Sequence, residues 1–148
     1  MAALIATVAA GLWAGISIYI AFVEHPSTLR MGVQFATEYF RTMSKRTAPL
    51  MMILAAIGGV AAIYTWSQGA DALWLVGGSL LLALFPFTAI FIVPTNIRLL
   101  KVDAVESRDV AAALHARWSF MHAVRTVLGF PPFLIFVWLL VSSDLHGA

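Results

Sequence analysis

Long apolar runs fill residues 3 to 23, 48 to 66, 72 to 95 and 119 to 142, and polar positions gather in the stretches between them. Each run, wound as a helix, is long enough to cross roughly 30 Å of hydrocarbon. The pattern predicts an all-α chain with one domain, residues 1 to 148, folded as a bundle of four transmembrane helices. Small residues recur in the first three runs (Ala9, Gly11 and Gly15; Gly58 and Gly59; Gly77, Gly78 and Ser79) and permit close helix approach. Pro86 in the third run and Pro131-Pro132 in the fourth remove backbone donors and are expected to kink their helices. Residues 31 to 46 read as an amphipathic interfacial helix, with Phe35, Tyr39 and Phe40 toward the membrane, and residues 103 to 117 read as a helix feeding the fourth run.

Charge gives the bundle an expected orientation. Eight bases, Arg30, Arg41, Lys45, Arg46, Arg98, Lys101, Arg108 and Arg117, lie in the connections 24–47 and 96–118, and the connection Ser67 to Asp71 has none. Basic residues in short loops stay on the cytoplasmic side, so both basic loops are expected in the cytoplasm and both termini outside, in the cytoplasmic (inner) membrane. No Lys or Arg precedes Arg30, so the first run is expected to be an uncleaved span rather than a secretory signal. Trp66, Trp74 and Trp118 sit where interfacial aromatics belong, whereas Trp13 and Trp138 fall deeper and are read as packing residues.

Composition narrows the chemistry. With 61% hydrophobic and 11% charged residues, the chain lies far from the soluble range of about 25% charged. The bases flank apolar spans without aromatic interleaving, which argues for lipid and against nucleic acid as the partner. There is no Cys, so disulfides, thiolate metal sites and Cys nucleophiles are excluded.

Three polar clusters fall at the same membrane boundary. They are Glu24-His25-Pro26 after the first run, Pro94-Thr95-Asn96 with Arg98 after the third, and Trp118, His122 and Arg125 at i, i+4 and i+7 on the helix entering the fourth. Arg125 lies beyond the basic loop with apolar sequence on its far side, the position of a group facing a bundle interior, and Glu24 is its expected counter-ion. His115 is placed on a loop-facing, solvated part of the helix, and His146 in the tail. Met43, Met51 and Met52 lack the regular spacing of a copper site and are read as packing. Two chemistries remain open. An imidazole can act as general base with Arg125 and Asn96 stabilising an oxyanion, or His25 and His122 can ligate a haem or another metal ion. No Glu-x-x-His pair points to a di-iron site. A non-catalytic accessory membrane subunit is the third reading, and the Gly-rich faces permit a homodimer.

The segments VEHP (23–26), PFT (86–88), PTNIRLL (94–100) and ARWSFMHAVRTVLG (116–129) resemble the small four-helix membrane family that includes the fungal anthrone oxygenases. The resemblance runs over about the whole chain. It implies a monooxygenase that oxidises a lipophilic, anthrone-like aromatic with O2 and requires no cofactor. Carried onto this chain, it implies His122 as the base, His25 and Glu24 as tuning or proton-relay groups, and Arg125 with Asn96 on the substrate oxygen. Trp118 would stack on the ring, with Thr95 and Arg98 as further substrate-binding positions.

Overall fold

The computed structural model describes residues 1–146, with side chains through Ser142. The chain runs up and down four times. Span one joins α1 (Ala2–Tyr19), a π-helical turn (Ile20–Glu24) and α2 (His25–Arg30) into one rod. Span two is α3 (Val33–Ser67); span three joins α4 (Leu73–Phe87), a second π-helical turn (Thr88–Ile92) and α5 (Val93–Lys101). Span four is α6 (Arg108–Gly129) followed by α7 (Pro131–His146). All four are long and apolar enough to cross a bilayer, and the chain is an all-α integral membrane protein. The spans pack in a ring, one on two, two on three, three on four and four on one.

The two π-helical turns share a cause. Each ends two residues before a proline, Pro26 in span one and Pro94 in span three. A helical proline has no N–H for the carbonyl four residues back, and its ring collides with that carbonyl. Those carbonyls belong to Phe22 and Ile90, both inside the π turns, and widening the backbone there relieves the clash. Pro86 lies within α4 without ending it, so the irregularity of span three falls one turn beyond the expected kink. The kink at Pro131-Pro132 forms as expected, where Phe130 separates α6 from α7.

The second hairpin repeats the first. Spans one and three are 29 residues long, and span two and the described apolar part of span four are each 35. Pro26-Ser27-Thr28-Leu29-Arg30 in α2 matches Pro94-Thr95-Asn96-Ile97-Arg98 in α5. Two like hairpins therefore bring their proline-marked ends to the same end of the bundle, which also carries the basic residues.

Several sequence expectations change. The interfacial helix at 31–46 is the first part of the unbroken α3, which starts after a turn at Gly32 with φ of +112°, a value that favours glycine. Phe40 is buried on its inner face, while Phe35 and Tyr39 remain outward and stack on each other. Trp74 is not an interfacial anchor but stacks on Phe136 in the core. Trp138, expected in the packing, is 57% exposed and turned outward; Trp13 is buried as expected. Residues 103–107 form a turn, and the helix begins at Arg108. The side chain of His146, assigned to the tail, lies outside the described residues.

Candidate functional site

One stripe of α6 carries the polar chemistry. Ala111, His115, Trp118, His122, Arg125 and Gly129 are all buried, at alternating spacings of four and three that keep them on one helical face. Span one answers with the buried stripe Ala10, Trp13, Ser17 and Ile20, and α3 with Thr37 and Phe40. The polar groups meet in two connected layers.

In the layer nearer the basic end, His25 Nε2 lies 3.3 Å from His115 Nδ1, and His115 Nε2 lies 3.1 Å from Thr37 Oγ1. The Thr37 hydroxyl donates its one proton to the Val33 carbonyl at 2.8 Å. Thr37 must then accept from His115 Nε2–H, which leaves His115 Nδ1 to accept from His25 Nε2–H. The chain of bonds has one direction, from His25 through His115 and Thr37 to the backbone. Its outer end, His25 Nδ1, has no hydrogen-bond partner among the described residues.

In the deeper layer, Arg125 donates to His122 Nδ1 at 2.8 Å, and His122 Nε2–H donates to the Ser17 carbonyl at 3.1 Å. A guanidinium only donates and a carbonyl only accepts, so His122 is the neutral Nε2–H tautomer with both nitrogens engaged. Ser17 Oγ–H donates to Thr126 Oγ1 at 2.7 Å, and Thr126 donates to the His122 carbonyl, closing the network. The guanidinium also sits 5.8 Å over the Trp13 ring. Trp118 joins the layers, stacked on His122 with centroids 4.8 Å apart and tilted against His25 at the same distance.

One space touches this column at Trp118 and Arg125, and a second lies beyond it, reached through Met43 and Thr47. An inner cavity of about 30 Å³ is lined by Ser44, Thr47, Asn96, Trp118 and Arg125 with an apolar remainder that includes Ile92. An open groove of about 450 Å³ lies against Glu24, Tyr39, Thr42, Met43, Arg46 and Thr47. Met43 and Thr47 line both, so they form the wall between them. Small-molecule sites occupy about 300–1,000 Å³, a range that the groove meets and the cavity misses tenfold.

The structure thus gathers His25, Trp118, His122, Arg125 and Asn96, and places Glu24 on the adjoining groove. Glu24 is not the counter-ion of Arg125; it accepts a hydrogen bond from the Tyr39 hydroxyl. Thr95 is buried in α5 but does not line the cavity, and Arg98 is exposed. His115 is fully buried rather than solvated. It lies seven residues from His122, two helical turns along the same face, so the spacing itself carried the signal. Thr37, Ser17, Ser44 and Thr126 had no signal beyond being hydroxyls near apolar sequence. Among the described residues no group of three or more His, Asp or Glu side chains can hold a metal ion. His25 and His122 do not present a free ligand pair, because His122 has both nitrogens bonded and Trp118 packs against both rings.

The family model described as anthrone oxygenase matches residues 37–135, about two thirds of the chain. Nothing among curated proteins or solved structures matches it.

Proposed function

Because this chain belongs to the anthrone oxygenase family, we propose that it is a membrane oxygenase that oxidises a lipophilic aromatic carbon acid of anthrone type with O2 at the basic end of the bundle. The observation that carries this reading is the one-way relay His25, His115, Thr37, with a free basic nitrogen at its outer end. An anthrone has an acidic benzylic CH2 and needs only a positioned base to become an electron-rich carbanion that reacts with dioxygen.

In this reading His25 is the base, in place of the His122 that the sequence suggested, because both nitrogens of His122 are committed. His25 Nδ1 takes a proton from the benzylic carbon, and its Nε2–H bond to His115 steadies the imidazolium. The carbanion adds O2 to give a peroxide anion, which recovers the proton from His25. Loss of the second C–H proton to the base then expels hydroxide, which is protonated to water, and leaves a carbonyl: CH2 plus O2 gives C=O plus H2O. The tricyclic ring lies in the groove, with Tyr39, Glu24 and Arg46 as partners for its hydroxyls and its benzylic carbon turned past Glu24 toward His25, the next residue in the chain; Trp118 backs the base. Arg125 and Asn96 line the inner cavity, which is too small for the ring but large enough for a ligand of one to three heavy atoms.

Purified protein with an anthrone in air is expected to consume one O2 per quinone formed, followed with an oxygen electrode and by absorbance. A quinol substrate oxidised faster than every anthrone, or no uptake with either, would overturn the substrate class.

The basic end faces the cytoplasm in this reading, with both termini outside. The natural absence of Cys makes this simple to read. A membrane-impermeant thiol reagent is expected to label Gln68→Cys on intact cells and Glu106→Cys only after permeabilisation; the reverse pattern inverts the topology.

A further inference from the structure

Arg125 is only 8% exposed, and no carboxylate pairs with it among the described residues. The ion pair that does occur there joins Arg41 and Glu38 near the surface. Its hydrogen-bond partner His122 is neutral, so the deep layer carries one uncompensated positive charge. A cation held inside a membrane bundle normally faces a partner or a polar cavity, since leaving it unpaired is costly.

The space beside Arg125 is lined with donors. Arg125 Nε, Trp118 Nε1 and Ser44 Oγ are each buried, each belong to a residue that lines the inner cavity, and are each without a hydrogen-bond partner among the described residues. The first two can only donate. Asn96 Oδ1 is also buried and unpartnered there; a half-turn of its amide brings Nδ2–H to the cavity as a fourth donor. Ile20, Phe40, Met51 and Ile92 supply apolar walls. A positive charge, convergent donors and about 30 Å³ of space define a narrow class of ligand.

We propose that this cavity binds a small monovalent anion of one to three heavy atoms, held by Arg125, Trp118 and Ser44 with Asn96. Phosphate and sulfate are too large and too highly charged for it. Two sources fit: a halide from bulk solution, or superoxide, formed when the carbanion gives one electron to dioxygen and becomes a carbon radical, before the two combine as the peroxide anion. Met43 and Thr47 separate the cavity from the groove, so an anion in the one lies directly across that wall from a substrate in the other. The site itself stands on the geometry around Arg125 and goes beyond the oxygenase reading; only the second source, reduced dioxygen, rests on that reading.

Azide, a linear three-atom anion whose infrared stretch responds to hydrogen bonding, is the probe, added to the full-length protein in detergent. A saturable band shifted from that of the free ion is expected, displaced by bromide and not by sulfate. Ser44→Ala should weaken azide binding about tenfold, as for one lost hydrogen bond to a charged group, and Arg125→Leu should abolish the band. Trp118→Phe provides the second donor deletion if Arg125→Leu does not fold. No saturable band in the unaltered protein, or a band unchanged in Ser44→Ala and Trp118→Phe, overturns the proposal. Binding is read without turnover, so its failure and that of the oxygenase reading are separable. Where turnover is present, bromide inhibition competitive with O2 identifies reduced dioxygen as the native occupant. Turnover indifferent to bromide at concentrations that displace azide identifies a resident halide.

Discussion

Replacing His25 by Ala is expected to lower the rate of oxygen-dependent turnover by about 10²- to 10⁴-fold, the contribution of a positioned general base. The loss should appear in kcat with little change in KM, since in this reading Glu24, Tyr39 and Arg46, rather than His25, hold the hydroxyls of the ring. His115→Phe keeps a ring against Phe40 but removes both bonds of the relay. Its expected loss is smaller, about tenfold, as befits one hydrogen bond of roughly 1.4 kcal/mol to the charged form of the base. Oxygen uptake under substrate saturation, with folding checked by circular dichroism, measures both. Full activity in His25→Ala together with none in His122→Ala would return the base to His122. That outcome would require His122 to give up its bond with Arg125 during turnover.

The second large effect is on stability and comes from Gly129. A Cβ placed there would lie 2.1 Å from the six-membered ring of Trp13, far inside contact distance. Trp13 is 1% exposed and cannot withdraw, because it is packed in the core beside Ala10 and beneath the Arg125 guanidinium. Gly129→Ala therefore forces the ring or the α6–α7 junction to move, at a cost of about 1–3 kcal/mol for an overpacked core. Gly15→Ala is the control, since a Cβ there meets nothing within 4 Å. Thermal unfolding in detergent should show a clear fall in Tm for Gly129→Ala and none for Gly15→Ala. Equal Tm values would mean that Trp13 is not fixed as described. Because Trp13 supports Arg125, the Gly129 variant should also weaken azide binding.

How much of the site was legible depended on whether a residue's neighbours lay along its own helix or across the bundle. His122, Arg125 and Trp118 were visible because a helix repeats every 3.6 residues, so their spacing alone placed them on one face. His115 obeys the same rule, seven residues from His122, although its place near the basic loop suggests a solvated position. Glu24 and Arg125 are opposite charges at one membrane boundary, which is all that the sequence offers for pairing them. In the folded chain Tyr39, one helix away, takes the carboxylate instead. Which hydroxyl meets which imidazole depends on the rotation of α1, α3 and α6 against one another, and no local pattern encodes that rotation.

By itself the sequence determined the class of molecule: four apolar runs, their lengths, and the gathering of bases and polar groups at one end. Those are one-dimensional properties, set by hydrophobic transfer and helical rise. Tertiary structure decided what the polar residues do. It fixed the tautomer of His122 between an obligate donor and an obligate acceptor, gave the His25 relay its direction through Thr37, and left Arg125 without a carboxylate among the described residues. Hydrogen-bond direction and charge compensation belong to groups that are neighbours in space, and here those neighbours come from helices as much as 109 residues apart in the chain.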